Sequence, residues 1–243
     1  MGYLAGAIVT FEPGVTLAAA LRARPTADPG VTAAFAAHAH PALDLTPVGE
    51  LTLEEGIDVG HLAGPDLTAA VWPGMSILCS AEHSDTDTPS QLDLSLVTHP
   101  SLGRSVFAMY SVDSVGAAGF ALWDPSGRLV RALSLTGSPD EHELHEDVGP
   151  RLVVEGPWWD DPQGYPPTLV KLVMLDLLGF DFDHEGLDPA PVDLGGVTVL
   201  SYAGAPRTTP AATSPAGPPA LPLAPRATRP PSPRTRRPWW RRG

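Results

Sequence analysis

This chain of 243 residues contains only one cysteine and no asparagine. The single cysteine, Cys79, excludes an internal disulfide framework and a zinc site built from several thiolates, and it fits a reducing, cytoplasmic location. The absence of asparagine excludes N-linked glycosylation. No uninterrupted apolar run is long enough to cross a bilayer. We therefore interpret Ala7–Phe11 as a first core strand and not as part of an export segment.

The common catalytic motifs are absent as well. The chain has no G-x-S-x-G nucleophile elbow and no Gly-rich phosphate loop. A reactive thiol needs a group that stabilises the thiolate and a third group that orients the pair, so we interpret Cys79 as a small buried thiol at the end of a strand. The sequence predicts no cofactor, and it favours a non-catalytic intracellular protein that binds a protein or small-molecule partner.

Charge divides the chain into two parts. Residues 1–202 hold seven basic and all 28 acidic residues, a formal charge of −21, whereas residues 203–243 hold eight arginines and no acid. An acidic body repels phosphate, which argues against nucleic-acid binding by residues 1–202. The last 41 residues contain 11 prolines and cannot bury enough surface to offset the entropy of ordering. We predict an acidic globular domain over 1–202 and a disordered Pro/Arg-rich tail over 203–243.

The clearest structural signal is a β-hairpin. Two apolar runs flank Asp124–Gly127, a turn in which Pro125 fixes φ and Gly127 accepts a positive φ. With the preceding strand Ser105–Val112, they predict a three-stranded meander over about 105–136. The acidic residues 138–150 have no regular apolar pattern, and we predict a loop there.

Two segments predict helices. Asp28 and Pro29 have the pattern of an N-cap and a first helical residue, and Val31, Ala34, Phe35 and His38 then recur on one helical face. Thr168–Leu178 is apolar nearly all round and is followed by Gly179, a residue that ends helices. The predicted fold class is α+β, with a mixed or mainly antiparallel sheet packed by two or three helices.

Five segments resemble a family of proteins of unknown function. They are the strand Gly6–Phe11, the turn Val71–Gly74, the hairpin strand Gly127–Leu135, the aromatic segment Val153–Trp159 and the helix end Leu175–Phe180. The family comprises acidic intracellular proteins of high-GC Gram-positive bacteria, and the resemblance covers most of residues 1–202. Trp158, where the family pattern has tyrosine, and the histidine-rich residues 140–147 depart from it. The resemblance implies a fold unit and no reaction.

The segment 140–147 supports an alternative function, a metal-assisted hydrolase. Its candidate residues are Asp140, His142, His145 and Asp147. Helical zinc proteases place two histidines four residues apart so that both rings share one face, whereas the spacing here is three. We therefore interpret the segment as a solvated acidic loop and expect no specific metal site.

Arg131 is the most informative residue of the hairpin. Strand alternation places it on one face with Leu129, Leu133 and Leu135. A guanidinium that is buried among leucines must find a polar partner.

Three residues near position 155 can partner Arg131. Glu155 can form an ion pair, and the rings of Trp158 and Trp159 can form cation–π contacts. One interpretation is a structural arginine at the rim of the sheet. The other is an anchor for an anionic ligand, which makes Arg131, Glu155, Trp158 and Trp159 the candidate binding residues.

The end of the tail supports a third hypothesis, a tether to an anionic membrane or to nucleic acid. Tryptophan rings can enter a lipid interface or stack on bases while arginines contact phosphates. The alternative is a solvated tail that contacts its own acidic body. The candidate residues are Arg234, Arg236, Arg237, Trp239, Trp240, Arg241 and Arg242.

Overall fold

The computed structural model describes residues 4–62, 64–84, 88–98, 103–138, 141–160, 164–181 and 192–207. They belong to one compact unit, which ends at Arg207. Its last strand continues through Pro206, four residues beyond the predicted end of the domain at 202. The remainder of the predicted tail, residues 208–243, lies outside the described residues.

The described residues contain nine strands, which form a single antiparallel sheet. The strands are β1 Leu4–Phe11, β2 Leu43–Thr52, β3 Leu67–Trp72, β4 Met75–Ser80, β5 Ser105–Val112, β6 Ala117–Trp123, β7 Leu129–Ser138, β8 Glu141–Val148 and β9 Thr198–Pro206. Their order across the sheet is β2-β9-β3-β4-β1-β5-β6-β7-β8. Every neighbouring pair is antiparallel, and β2 and β8 are the edges.

In the described residues, five α-helices accompany the sheet. They are α1 Leu17–Arg22, α2 Pro29–Ala39, α3 Leu53–Ile57, α4 Gly156–Trp159 and α5 Pro166–Leu178. We call the face under α1, α3, α4 and α5 the first face; its core includes Phe107, Phe120 and Leu133. The second face packs against α2 and the segment 89–97, and its core includes Ile8 and Trp123. Both faces of the central strands are therefore buried, which explains their continuous apolar composition.

The predicted α+β fold class is wrong, because the structure is mostly one antiparallel sheet with short helices. Leu43–Thr52 and Glu141–Val148 are full edge strands, although the second was predicted as a loop. The predicted meander accordingly gains a fourth strand, β8. An edge strand buries little surface and carries charges that discourage pairing with other chains, so it lacks the alternating apolar pattern used to recognise strands.

Helix α2 begins as its sequence predicts but buries a different face. The Asp28 carboxylate accepts a hydrogen bond from the Val31 N–H at 2.9 Å and caps the helix. The buried residues of α2 are Thr32, Ala36 and Ala39. Val31, on the predicted apolar face, remains 52% exposed. Small residues let the helix approach the sheet closely, and the larger apolar side chains are left beside the contact.

A β-bulge in β7 changes the predicted alternation. Leu122 pairs with Arg131, whereas Trp123 pairs with Leu129, so one residue of β7 is extra. Leu129 packs on the second face, and Leu133 lies on the first face. Arg131 shares the first face with its pairing partner Leu122 and with Leu133 and Leu135, whereas the prediction that it shares a face with Leu129 is wrong.

Two glycines with similar backbones provide a test of the sheet packing. Gly116, between β5 and β6, has φ of +62°, and an added Cβ would lie 2.2 Å from the Gly137 carbonyl oxygen. Gly14 has φ of +83° and open space around the added Cβ. We expect Gly14→Ala to cost about 1–2 kcal/mol for the left-handed backbone. Gly116→Ala should cost a further ~1–3 kcal/mol, because β7 must move.

Urea unfolding of both variants measures the difference. Equal losses of stability in Gly14→Ala and Gly116→Ala would contradict the close approach of the β5–β6 connection to β7.

Candidate functional site

Arg131 is at the centre of a buried cluster beside the edge strand β8. Its side chain is 0% exposed. Nε donates to Oε1 of Glu155 at 2.8 Å, and Nη2 donates to Oε2 of the same carboxylate at 2.7 Å. Nη1 donates to Oδ1 of Asp147 at 2.5 Å. Nη1 also contacts three backbone carbonyl oxygens at 3.2–3.3 Å, those of Ala132, Val148 and Gly149.

The Glu155 carboxylate accepts hydrogen bonds from residues that precede and follow it in the chain. Its side chain is 0% exposed, and its Oε1 accepts a hydrogen bond from the Leu152 N–H at 2.8 Å. Its Oε2 accepts from Nε1 of Trp159 at 3.3 Å. Each carboxylate oxygen thus has one guanidinium donor and one further donor. This arrangement satisfies a buried charge that would otherwise be costly.

The electrostatics keep Arg131 charged. Burial acts to lower the pKa of the guanidinium, but hydrogen bonds and attraction from Glu155 and Asp147 outweigh burial and raise this pKa above its ordinary value. A buried ion pair of this kind adds little stability relative to a well-packed apolar pair. Removing one partner lowers the free energy of unfolding strongly, because the other charge remains buried without its partner.

The cluster joins four elements at one edge of the sheet. Arg131 belongs to β7, Asp147 to β8, Glu155 to the turn that follows β8, and Trp159 to α4. The guanidinium is buried, and its hydrogen bonds hold β8 and the turn that precedes α4 against β7. A binding role for Arg131 and Glu155 stays a prediction.

The tryptophan pair lies against this cluster. Trp158 is 6% exposed, and its Nε1 donates to the Tyr165 carbonyl oxygen at 3.2 Å. Trp159 is half-buried and meets Trp158 edge to face, with ring centroids 5.2 Å apart. The guanidinium carbon of Arg151 lies 4.0 Å from the centroid of the Trp159 ring. The cation–π contact considered for Arg131 is therefore made by Arg151.

The four candidate metal ligands do not form a site in the described residues. His142 contacts the Trp158 ring at 5.3 Å between centroids, whereas Nε2 of His145 lies 2.9 Å from Oγ1 of Thr136. Asp147 binds Arg131, and Asp140 lies outside the described residues. At the register shift in this pair of strands, Ser134 pairs with Glu146 and Leu135 pairs with Leu144, so His145 is the extra residue of β8. In the part of the chain that the structure describes, no three potential ligands converge.

Cys79 lies inside β4 and is 1% exposed. Burial raises the pKa of its thiol to about 12, against a smaller lowering by the interaction with the Thr68 side chain. A thiol with this pKa is protonated at neutral pH and is a poor nucleophile. The residues proposed for the tail, within 234–242, lie outside the described residues, and their role stays a prediction.

Sequence reasoning missed Asp147 as a partner of Arg131, and Arg151 as the cation on Trp159. Asp147 pairs with Leu133 across β7 and β8. Recognising β8 as a strand is therefore the step that would have brought Asp147 to Arg131. The open edge of β8 and its exposed Leu144 were missed for the same reason.

Comparison with known proteins identifies the family. Residues 7–202 match a family of unknown function (DUF6928), and the chain belongs to this family. The expected membership of a family of unknown function over most of residues 1–202 is confirmed. No curated protein and no solved structure gives a significant match. Among the described residues, no helix has both the length and the apolar composition that a bilayer span requires.

Neutralising one carboxylate of the buried ion pair should cause a large loss of folding stability. Glu155→Gln keeps the shape of the side chain but leaves Arg131 with one carboxylate, and we expect it to destabilise the fold by about 3–5 kcal/mol. The control is Asp193→Asn in the pair with Arg24, whose side chains are 62% and 64% exposed. The control should cost about 1 kcal/mol or less.

Urea unfolding compares the two variants with the double variant Arg131→Met/Glu155→Leu. The double variant should recover part of the loss, since it leaves no buried charge at either position. A cost for Glu155→Gln as small as that of the control would contradict the role assigned to the pair.

The buried thiol predicts slow chemical labelling. In the folded chain Cys79 should react with a disulfide reagent at about pH 8 only as fast as the protein opens, because the thiol is covered and protonated. Ala34→Cys adds a thiol at an exposed position of α2 as an internal control. Labelling should show one fast and one slow thiol, and equal fast rates would refute the burial of Cys79.

Proposed function

We propose that the chain is a non-catalytic, intracellular binding module that captures an extended, basic peptide along the outer edge of β8. The observation that supports this most directly is the position of β8 at the end of the sheet, with no described strand on its outer side. Peptide binding by strand addition uses an open edge of this kind, where backbone groups provide affinity and side chains provide selectivity.

The side chains of β8 favour a basic partner. Glu141 and Glu143 are exposed, and Leu144, which follows Glu143, is 49% exposed. Like charges facing each other across two strands are destabilising, so this edge disfavours pairing with a second copy of itself. A peptide that alternates basic and apolar residues would match both the carboxylates and the leucine.

The buried cluster supports the proposal by fixing the edge in advance. Asp147 and the Val148 carbonyl oxygen at the end of β8 bind Arg131, and Arg131 is in turn bound by Glu155. A rigid edge loses less entropy when a peptide binds. In this proposal Arg131, Glu155 and Trp158 are positioning residues.

The segment after β8 offers further contact area. Val153 is 96% exposed, and the half-buried Trp159 carries the Arg151 guanidinium on its ring. Exposed apolar side chains beside a half-covered indole are typical of contact surfaces. Of the four predicted binding residues, Trp159 is therefore the one proposed to touch the partner.

The hydrolase alternative has less support. His142, His145 and Asp147 each have another partner, and they do not converge in the described residues. The cytoplasmic location belongs to the proposal and is supported by the single, buried cysteine. The proposed tether function of the tail has no support from the described residues.

Fluorescence anisotropy with two labelled peptides tests the proposal. One peptide alternates lysine and valine, and the other alternates glutamate and valine. The full chain should bind the basic peptide at least tenfold more tightly at low salt, and the difference should shrink as salt screens the charges. The double variant Glu141→Lys/Glu143→Lys should reverse the preference.

The matched control is Glu50→Lys, a charge reversal on the opposite edge strand β2, where Glu50 is exposed. It should leave the preference unchanged. If Glu50→Lys reduced the preference for the basic peptide as much as Glu141→Lys/Glu143→Lys does, the peptide would be attracted by the net charge of the protein. That result would refute capture at β8. Amide NMR shifts that avoid β8 on addition of the basic peptide would also refute it.

A further inference from the structure

A second surface lies away from β8, between α2 and the second face of the sheet. Phe35 and His38 of α2 border a cavity of about 330 Å³, and Val71 of β3 and Ser76 of β4 form its floor. A smaller cavity of about 120 Å³ lies beside it, and the two share Thr98 and Arg104. The larger volume falls in the range of small-molecule sites.

Helix α2 leaves apolar surface uncovered in this cavity. Val31 lines the cavity and is 52% exposed, and Phe35 is only half-buried. The helix is instead held by Thr32, whose Oγ1 accepts a hydrogen bond from the Val71 N–H at 3.1 Å. This bond fixes the helix to β3 beside the cavity. Val31, Phe35 and His38 of the stripe predicted for α2 thus line an open cleft, and Phe35 also packs against the edge of the second-face core.

Two buried donors at the cleft have no acceptor among the described residues. Arg104 is 16% exposed; its Nη2 donates to Oε1 of Glu12 at 3.0 Å, but its Nε is buried without a hydrogen-bond partner in the described structure. Oγ1 of Thr98 is also buried without a partner there. Buried polar groups are nearly always satisfied, so two unsatisfied groups lining one cleft point to a missing acceptor.

The charge and size of the cleft define the ligand class. The guanidinium Nε–H can only donate, and the Thr98 hydroxyl can donate as well, so both donors match the two oxygens of a carboxylate. The strongly acidic body disfavours ligands with more than one negative charge, such as phosphate monoesters. At about 30 Å³ per water-sized group, 330 Å³ holds about ten non-hydrogen atoms.

We propose that this cleft binds an apolar monocarboxylate of about ten non-hydrogen atoms, with its carboxylate on Arg104 and Thr98 and its chain against Val31 and Phe35. The site is independent of the β8 edge. A chain that does not bind peptide at β8 can therefore still bind a carboxylate in this cleft. Likewise, a chain that binds no carboxylate in the cleft can still bind peptide at β8.

Octanoate is the probe that tests the site, titrated into the full chain to about 10 mM to cover the weak affinity expected of a small ligand. We expect saturable binding, with NMR shifts of the Arg104 Nε–H and of the α2 amides. Octanol and octyl phosphate are the comparison ligands. Both should bind at least tenfold more weakly than octanoate, because the first lacks the charge and the second carries more of it.

Variants separate recognition from folding. Arg104→Met should reduce octanoate affinity at least tenfold and abolish its advantage over octanol. Thr98→Val, a near-isosteric change, should weaken octanoate severalfold while the thermal unfolding temperature stays unchanged. Arg207→Met, which alters an exposed ion pair with Asp44, is the matched control and should leave binding unchanged.

Three results would overturn the proposal. The first is no saturable octanoate binding by 10 mM. The second is equal affinity for octanoate and octanol. The third is octanoate binding that survives both Arg104→Met and Thr98→Val.

Discussion

The charged guanidinium of Arg131 has no contact with water, and the structure around β8 is arranged to satisfy it. The guanidinium contacts carboxylate and carbonyl oxygens of β7, β8 and the turn that supplies Glu155. An unpaired charge in this position would cost far more than any single apolar contact provides. The path of the chain from the end of β8 back to Glu155 is therefore constrained, and it places the tryptophan pair beside the edge strand.

The two proposed sites follow from how the sheet is covered. The central strands are buried on both faces, whereas β8 ends the sheet and presents acids and a leucine to solvent. On the second face, α2 contacts the sheet through small residues, and its larger apolar side chains border a cleft. Each site is a place where the apolar core stops and polar or charged groups are held in fixed positions. Neither site requires a nucleophile or a metal.

Sequence reasoning succeeded where local chemistry decides the structure. β5 has the predicted bounds Ser105–Val112, Asp28 caps α2, and Gly179 ends α5 with φ of +76°. It failed where neighbours in space decide. Residues 141–148 form a strand because they pair with β7. They lack an alternating apolar pattern of their own, so their acidic sequence predicted a loop. Ion pairing of Arg131 with Glu155 was anticipated as one option, but Asp147 required the register of a strand that had not been recognised.

Native-state hydrogen exchange on the Arg131→Met variant tests most directly whether this cluster fastens the sheet edge. If it does, the amides of β8 and of the turn before Glu155 should exchange much faster than in the parent chain, while those of the central strands β1, β4 and β5 keep their protection. Unchanged exchange in β8, or an equal acceleration across all strands, would contradict the account.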